Sequence, residues 1–208
     1  VDDCKVTHLI VAKIPETNEV GIAVASKFFA CGSLVPHMTQ NIVIASQAFV
    51  NPLWVIRSIS MLTEGMTFKE VLSTLKFEDD GREVRQFHGM SQNGDIVEHT
   101  GSECFGWAGY VMDQNVSVAR NMLAGPNVVQ KTLQVWSENV DKSMAERLRC
   151  AMEAGEAVGG DKRGKQAAAI KKYDGQPYPT LDLRVNDHSD PLCEFKRLLA
   201  VAHERFNI

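Results

Sequence analysis

Residues 7–26 read THLIVAKIPETNEVGIAVAS, and they say more about the architecture than any other stretch. Residues 7–14 and 20–26 are rich in β-branched and apolar side chains, and the Pro and Asn between them suit a hairpin turn. Both runs are almost continuously apolar, whereas a strand with one wet face alternates apolar and polar residues. We therefore predict a pair of strands in a sheet that is covered on both faces. Residues 41–49, NIVIASQAF, are a third run of this kind.

The rest of the chain alternates groups of strands with groups of helices. Thr67 and Ser143 each precede a Glu by three residues and so begin a capping box, while Asn93-Gly94 predicts a hairpin. This order is typical of α+β proteins, and the doubly apolar strands require either a helix–sheet–helix arrangement or two stacked sheets with helices outside. The predicted strands are 7–14, 20–26, 41–49, 82–90, 95–100, 107–112, 116–121, 166–173 and 181–185, and the predicted helices are 52–63, 67–75, 126–138, 143–159 and 192–206.

The composition limits the class of protein. The chain has 208 residues, a formal net charge of −4 and no long linker, so we predict one domain over residues 1–208. Lys and Arg are scattered, which argues against a nucleic-acid groove, and the apolar runs are far shorter than the roughly 20 residues of a membrane span. Five cysteines without a Cys-x-x-Cys pair favour reduced thiols and a cytoplasmic location. We expect a homodimer or a higher homo-oligomer, most simply a two-fold dimer, since two-fold dimers are the commonest soluble oligomers.

Residues 159–166, GGDKRGKQ, join a predicted helix to a predicted strand. The three glycines allow positive φ and close backbone approach, so the loop could place Asp161 and Arg163 beside a ligand. The alternative is a helix C-cap with a solvated turn, because Gly commonly follows the last residue of a helix. A Walker phosphate loop is excluded, since that motif needs Ser or Thr and a helix where Gln166 and a strand follow here.

Asp182 and Arg184 share one face of the run LDLRV, opposite its leucines and valine. Two such charges in a covered sheet must pair, and they form either a structural ion pair or part of a polar site. The following residues include Asp187, His188 and Asp190, which could bind a metal. Capping of the last helix by Asp190 explains this segment more simply, and we predict no metal and no other cofactor.

Several polar residues lie at predicted strand ends, where side chains can project into a crevice. Lys27, Asn51 and Asn121 lie at or just past such ends and are candidates for ligand binding. His99 lies near the end of another strand and could act as a general base near neutral pH. A histidine whose ring is satisfied by backbone groups is the alternative, since no Ser or Cys partner is identifiable from spacing.

Seven motifs occur together in one order: THLIVAKIPETNEVGIAVASKFFACGSLVP, ASQAFVNP, GREVRQ, HTG, NMLAGP, AGEAVGGDKRGKQAAA and LDLRVNDHSDP. The set resembles a family of domains of unknown function, DUF1028, from residue 7 to about residue 199. This resemblance implies the fold of the N-terminal nucleophile (Ntn) hydrolases, a four-layer αββα sandwich of two mainly antiparallel sheets. That fold is the two-sheet option reached from the strand pattern.

The resemblance also implies a function. In Ntn hydrolases a Thr, Ser or Cys at the head of the first strand attacks an amide, and its own α-amino group is the base. Thr7 matches that position, so we expect an amidohydrolase of a small amide or peptide-like bond with Thr7 as nucleophile. The candidate substrate-binding residues are Lys27, Asn51, His99, Asn121, Asp161, Arg163, Arg184 and Asp187.

A non-catalytic module on the same fold is the alternative hypothesis. Six residues precede Thr7 in this sequence, so Thr7 has a free amine only after the Val6–Thr7 bond is cleaved. Without cleavage, the polar cleft would bind a small ligand or mediate assembly.

Overall fold

The structure is a computed structural model that describes residues 7–104, 106–123, 126–159 and 164–205. The described residues form ten β-strands in two antiparallel sheets, six α-helices and a short 3₁₀ helix at Arg82–Val84. The strands are β1 (Thr7–Ile14), β2 (Glu19–Ser26), β3 (Pro36–Met38), β4 (Ile42–Ala48), β5 (Arg85–Ser91), β6 (Ile96–Thr100), β7 (Trp107–Asp113), β8 (Val116–Leu123), β9 (Ala167–Tyr173) and β10 (Leu181–Val185). The helices are α1 (Cys31–Leu34), α2 (Pro52–Thr63), α3 (Phe68–Glu78), α4 (Asn127–Glu138), α5 (Met144–Ala157) and α6 (Pro191–Arg205).

The large sheet has the strand order β10-β9-β2-β1-β8-β7, with the predicted β1–β2 hairpin at its centre. Ile10 and Ala12 lie on the face that packs against α4, α5 and α6. Leu9 and Val11 lie on the opposite face and contact the small sheet. All four side chains are fully buried, which explains why β1 is apolar on both faces.

The small sheet has the order β3-β4-β5-β6. Ile44 on β4 and Phe87 on β5 pack outward against Trp54 of α2 and Leu75 of α3. The inner face carries residues such as Val43, which pack against the large sheet. The layers are therefore α4–α6, the large sheet, the small sheet and α2–α3, and the predicted α+β sandwich with αββα layers is confirmed.

The helix starts follow the predicted capping residues. At Thr67 both halves of the capping box form, with the Thr67 side chain bonded to the Glu70 N–H and the Glu70 carboxylate bonded to the Thr67 N–H. At the start of α5 only one half of the predicted capping box forms, with the Ser143 hydroxyl accepting the Glu146 N–H. Such a cap contributes roughly 1 kcal/mol to helix stability.

The predicted element order is correct except at two places. Residues 31–38 form α1 and β3, which the sequence analysis does not predict, because one helical turn and a three-residue edge strand are too short for a periodic pattern. The strand predicted from residue 82 begins at Arg85, because Arg82–Val84 first form a 3₁₀ turn in which Val84 N–H donates to the carbonyl of Gly81. Within the described ranges, no helix combines the length and the apolar character that crossing a bilayer requires.

Candidate active site

Thr7, Ser26 and Asn121 meet at one end of the large sheet. Thr7 is the first residue of β1 and pairs with Ser26, the last residue of β2. Asn121 lies near the end of β8, beside the start of β1. Because side chains alternate along a strand, the Thr7 side chain lies on the same face as Leu9, which contacts the small sheet. The hydroxyl of the predicted nucleophile is therefore between the two sheets.

Thr7 makes polar contacts through both its nitrogen and its hydroxyl. Its backbone N–H donates to Asn121 Oδ1 over 3.1 Å, and its Oγ1 lies 3.3 Å from Ser26 Oγ. Thr7 is 2% exposed, Ser26 4% and Asn121 1%, so these contacts lie in a nearly water-free environment. The cluster thus brings the nitrogen and the hydroxyl of one residue into a single polar site.

Three side-chain amides, those of Gln47, Gln86 and Asn121, form an amide cluster that joins the two sheets. Gln86 Nε2 donates to the carbonyl oxygen of Arg120 over 3.3 Å and to Thr100 Oγ1 over 3.0 Å. Gln86 Oε1 accepts from Asn121 Nδ2 over 3.4 Å and from Gln47 Nε2. Gln47 and Gln86 are fully buried, where an unpaired amide group would cost about 1–3 kcal/mol. The amide cluster therefore holds the Asn121 side chain from the small sheet.

His8 lies directly behind Thr7, on the helix-facing side of β1. Its Nε2 is 3.0 Å from Thr132 Oγ1, and the Thr132 hydroxyl donates to the Val128 carbonyl, so the imidazole donates to Thr132. Burial, followed by the positive charge of Arg120, holds the pKa of His8 well below its usual value. His8 is therefore neutral at physiological pH and acts as a packing and hydrogen-bonding residue behind the site.

Lys27 and Asp187 flank the same end of the large sheet. Lys27 follows the last residue of β2 directly and is exposed. The Gln166 backbone N–H donates to the carbonyl of Ser26 over 2.9 Å, and Gln166 Nε2 donates to Asp187 Oδ1 over 3.0 Å. Lys27 and Asp187 therefore lie at the end of the large sheet that also holds Thr7. The loop residues Asp161 and Arg163 lie outside the described residues.

Arg184 does not join the Thr7 cluster. It pairs with Asp182 through two hydrogen bonds of 2.8 Å, as predicted, but both side chains are partly exposed because β10 is the edge strand of the large sheet. Burial raises the pKa of Asp182, but hydrogen bonding to Arg184 and its charge outweigh burial and lower that pKa. Arg184 lies level with Leu9 and three strands from β1, which at ~4.8 Å per strand is about 14 Å. The pair therefore stabilises the sheet edge.

Asn51 and His99 also lie apart from Thr7. Asn51 is the N-cap of α2, where its side chain accepts the Leu53 N–H over 3.1 Å and donates to Asp79 over 3.2 Å. His99 lies on the outer face of the small sheet, where its Nε2 donates to the Arg82 carbonyl over 2.8 Å. Both side chains have structural partners, and neither contacts the Thr7 cluster.

The segment after β10 is built around a helix cap. Asp190 accepts the Cys193 N–H over 3.4 Å at the start of α6 and pairs with Lys165 over 3.2 Å. His188 Nδ1 accepts the Asp190 N–H over 3.0 Å. Across residues 7–104, 106–123, 126–159 and 164–205, no group of three or more His, Cys, Asp or Glu side chains is arranged to hold a metal ion. The alternative of a metal site at this segment therefore finds no geometric support in the described ranges.

Motif reasoning does not identify Gln86 or Thr100 as site residues. Gln86 ends the motif GREVRQ and lies opposite Gln47 of the neighbouring strand, but neither fact by itself assigns it to the site. A buried amide pair of this kind becomes visible only when the strand register is known, because register decides which polar residues face each other.

The fold and the site together define an α+β protein that holds a polar cluster between two stacked sheets. The chain belongs to the family of unknown function DUF1028, whose sequence model matches residues 7–195. It is similar to the crystal structure of protein SPO2555 from Silicibacter pomeroyi, which matches the same family, with a TM-score of 0.86 and 26% sequence identity over 95% of this chain and 89% of that chain. No curated protein matches the chain significantly.

Proposed function

We propose that this protein is an Ntn-type amidohydrolase that cleaves a small amide or peptide-like bond, with Thr7 as the nucleophile. The proposal depends on one observation, the placement of the Thr7 nitrogen on Asn121 and the Thr7 hydroxyl beside Ser26 at the same sheet end. Hydrolysis of the Val6–Thr7 bond would turn that nitrogen into a free α-amine. An α-amine titrates near pH 7.7–8.0, so near neutral pH a useful fraction is unprotonated and basic.

The reaction would then proceed in two halves. The Thr7 amine takes the proton from Oγ1 as Oγ1 attacks the substrate carbonyl carbon, and the amine passes that proton to the leaving nitrogen as the C–N bond breaks. The products are a free amine and an acyl ester on Thr7. Water, deprotonated by the same amine, attacks the ester, releases the acid and returns the proton to Oγ1. Ser26 holds Oγ1 in place, because its own hydroxyl lies 3.3 Å away.

Lys27 and Asp187 are the proposed substrate-positioning residues. Both are exposed at the end of the large sheet that holds Thr7, and their opposite charges suit polar groups at the two ends of a small substrate. Asn121 acts on the Thr7 nitrogen directly. Asp161 and Arg163 stay predictions for the same role, while the contacts of Asn51, His99 and Arg184 support structural roles.

A non-catalytic binding or assembly module is the second candidate. Thr7 is only 2% exposed and carries a peptide nitrogen in the full chain, which favours a closed, unreactive site. The two candidates differ in whether the Val6–Thr7 bond is cut and in whether the Thr7 hydroxyl is essential.

Intact-mass spectrometry combined with an amine-release assay separates them. We expect purified protein to lose residues 1–6 and to release amine from a panel of N-acyl amino acids and short peptide amides. Thr7→Ala should lower turnover to background, Thr7→Ser should keep part of it, and the control Thr17→Ala, at an exposed hydroxyl in the β1–β2 turn, should match the wild type. Turnover retained by Thr7→Ala, or an uncut chain with no turnover, would reject the hydrolase.

A further inference from the structure

The orientation of the Asn121 amide can be deduced from unambiguous hydrogen-bonding groups at both ends of the amide cluster. At one end, Gln86 Nε2 faces the backbone carbonyl of Arg120 at 3.3 Å, and a carbonyl oxygen can only accept. Gln86 must therefore turn its NH₂ toward Arg120 and its Oε1 toward Asn121. Asn121 in turn presents Nδ2 to Gln86 and Oδ1 to Thr7. At the other end, the Thr7 N–H can only donate, and the orientation of Asn121 satisfies it.

The orientation has a chemical consequence for the amine of processed Thr7. An oxygen accepts an N–H of the amine and leaves the nitrogen lone pair free to receive the Oγ1 proton. An Asn121 amide turned by 180° would instead direct its NH₂ at the nitrogen, which would then accept a hydrogen bond through the same lone pair. The base would be occupied, and proton transfer from Oγ1 would require that bond to break first.

We infer that Gln86 is a positioning residue for the Thr7 base: by holding Asn121 with its oxygen toward the Thr7 nitrogen, it keeps the amine lone pair available to the Thr7 hydroxyl. This inference rests on the proposed hydrolase function and assigns a role to a residue that never meets substrate. Gln86 is suited to the role because it is fully buried and held by partners on both sheets, so it cannot rotate without leaving an amide group unpaired.

Two substitutions separate orientation from packing. Gln86→Met keeps the volume of the side chain but offers Asn121 only a weak thioether acceptor, so Asn121 can turn. We expect kcat to fall by on the order of 10²-fold, the lower part of the range for a general base, with KM changed less than about twofold. We also expect the acidic limb of the kcat/KM profile to move to lower pH, since an amine that accepts from NH₂ is a weaker base.

Gln86→Glu keeps an oxygen that accepts from Asn121 Nδ2, and it should retain kcat to within about tenfold and leave the acidic limb in place. Gln114→Met, at an exposed glutamine in the β7–β8 turn, is the control for an added thioether and should match the wild type. Thermal unfolding of each variant checks that it folds. Should Gln86→Met fail to fold, Gln86→Leu takes its place, with the same expected fall in kcat and the same shift of the acidic limb.

The outcomes distinguish the two levels of the proposal. Wild-type protein without turnover, or turnover that survives Thr7→Ala, rejects the hydrolase and this role with it. An active wild type in which Gln86→Met keeps the kcat and pH profile, or in which Gln86→Glu loses as much kcat as Gln86→Met, rejects the role of Gln86 and leaves the hydrolase standing. A fall in kcat with a shifted acidic limb in Gln86→Met, rescued in Gln86→Glu, supports the role.

Discussion

Two fully buried histidines should make this protein sensitive to mild acid. His88 lies between the sheets with its Nδ1 3.1 Å from Ser117 Oγ and its ring edge-on to Tyr110. Burial, followed by the positive charge of His99, lowers the pKa of His88 to about 3. Burial and the charge of Arg120 lower the pKa of His8 in the same direction. Both rings therefore stay neutral in the folded chain over the pH range in which the same rings take up protons in the unfolded chain.

The size of the effect follows from linkage. Unfolded imidazole has a pKa of about 6.5, so at pH 5 the unfolded chain binds a proton at His88 that the folded chain does not. The free energy of unfolding therefore falls as pH drops below about 6.5, and at pH 5 the loss is about 2 kcal/mol for His88. This loss of about 2 kcal/mol depends only on the pKa of His88 in the unfolded chain, because its pKa in the folded chain, about 3, lies well below 5. His8 adds a loss of the same order, and each loss continues until pH reaches the folded pKa.

Urea unfolding followed by circular dichroism at pH 8, 7, 6 and 5 tests this reasoning. His88→Gln can keep a contact with Ser117 but does not titrate, so the decline between pH 8 and pH 5 should shrink by about 2 kcal/mol. His8→Gln should behave alike, and the double variant should lose both contributions. His203→Gln, at an exposed position on α6, should keep the full wild-type decline. A His88→Gln variant that declines as steeply as the wild type would show that the His88 ring protonates without unfolding.

Gly155 of α5 and Asp79, which follows α3, should each contribute to the stability of the fold. Gly155→Ala should destabilise the fold by roughly 1–3 kcal/mol in urea unfolding. The added Cβ would lie 2.1 Å from Thr132 Oγ1 and 2.6 Å from His8 Cε1, which is too close for either atom. An unchanged unfolding midpoint would mean that α5 shifts freely. Asp79→Asn should lower the free energy of unfolding by about 2–3 kcal/mol, because this carboxylate accepts from Trp54 Nε1 at 2.7 Å and from Arg85 Nε at 3.1 Å. The control Asp80→Asn, at the exposed neighbouring position, should stay within about 0.5 kcal/mol of the wild type. Burial raises the pKa of Asp79, but the hydrogen bonds from Arg85 and Gly81 outweigh it and bring that pKa to about 2, so this contribution to stability is present above pH 4 and is lost as pH falls toward 2.

The sequence predicted the layers because burial on both faces leaves a direct mark on composition. Residues 9–12 are apolar without interruption, and in the fold two of them face helices and two face the other sheet. Helix starts were equally readable, since a cap such as Thr67 acts within one turn of its own helix. Features that depend only on neighbouring residues are thus recoverable from a single sequence.

The site was only partly predictable because it depends on register between distant strands. The sequence identifies Thr7 and Asn121 one at a time, as a strand start and a strand end, and their contact spans 114 residues of sequence. Arg184 looked equivalent to them as a charge on an apolar strand, but the position of β10 at the sheet edge separates it from Thr7. Strand order, which no local pattern encodes, decided which polar residue entered the site.

The same register explains why the cluster is polar at all. In a sandwich of this kind the inner faces of both sheets should be apolar, and Gln47, Gln86 and Asn121 each introduce a buried amide at a cost unless partnered. Replacing all three by leucine would satisfy the packing without any hydrogen bond. The hydrogen bonds of this cluster, in which Gln47 Oε1 finds no partner among the described residues, contribute little that an apolar core would not. What they add is a fixed direction for the outermost atom of the cluster, the Asn121 Oδ1 that accepts the Thr7 N–H. The cluster is therefore better explained by what it holds at Thr7 than by the stability of the fold.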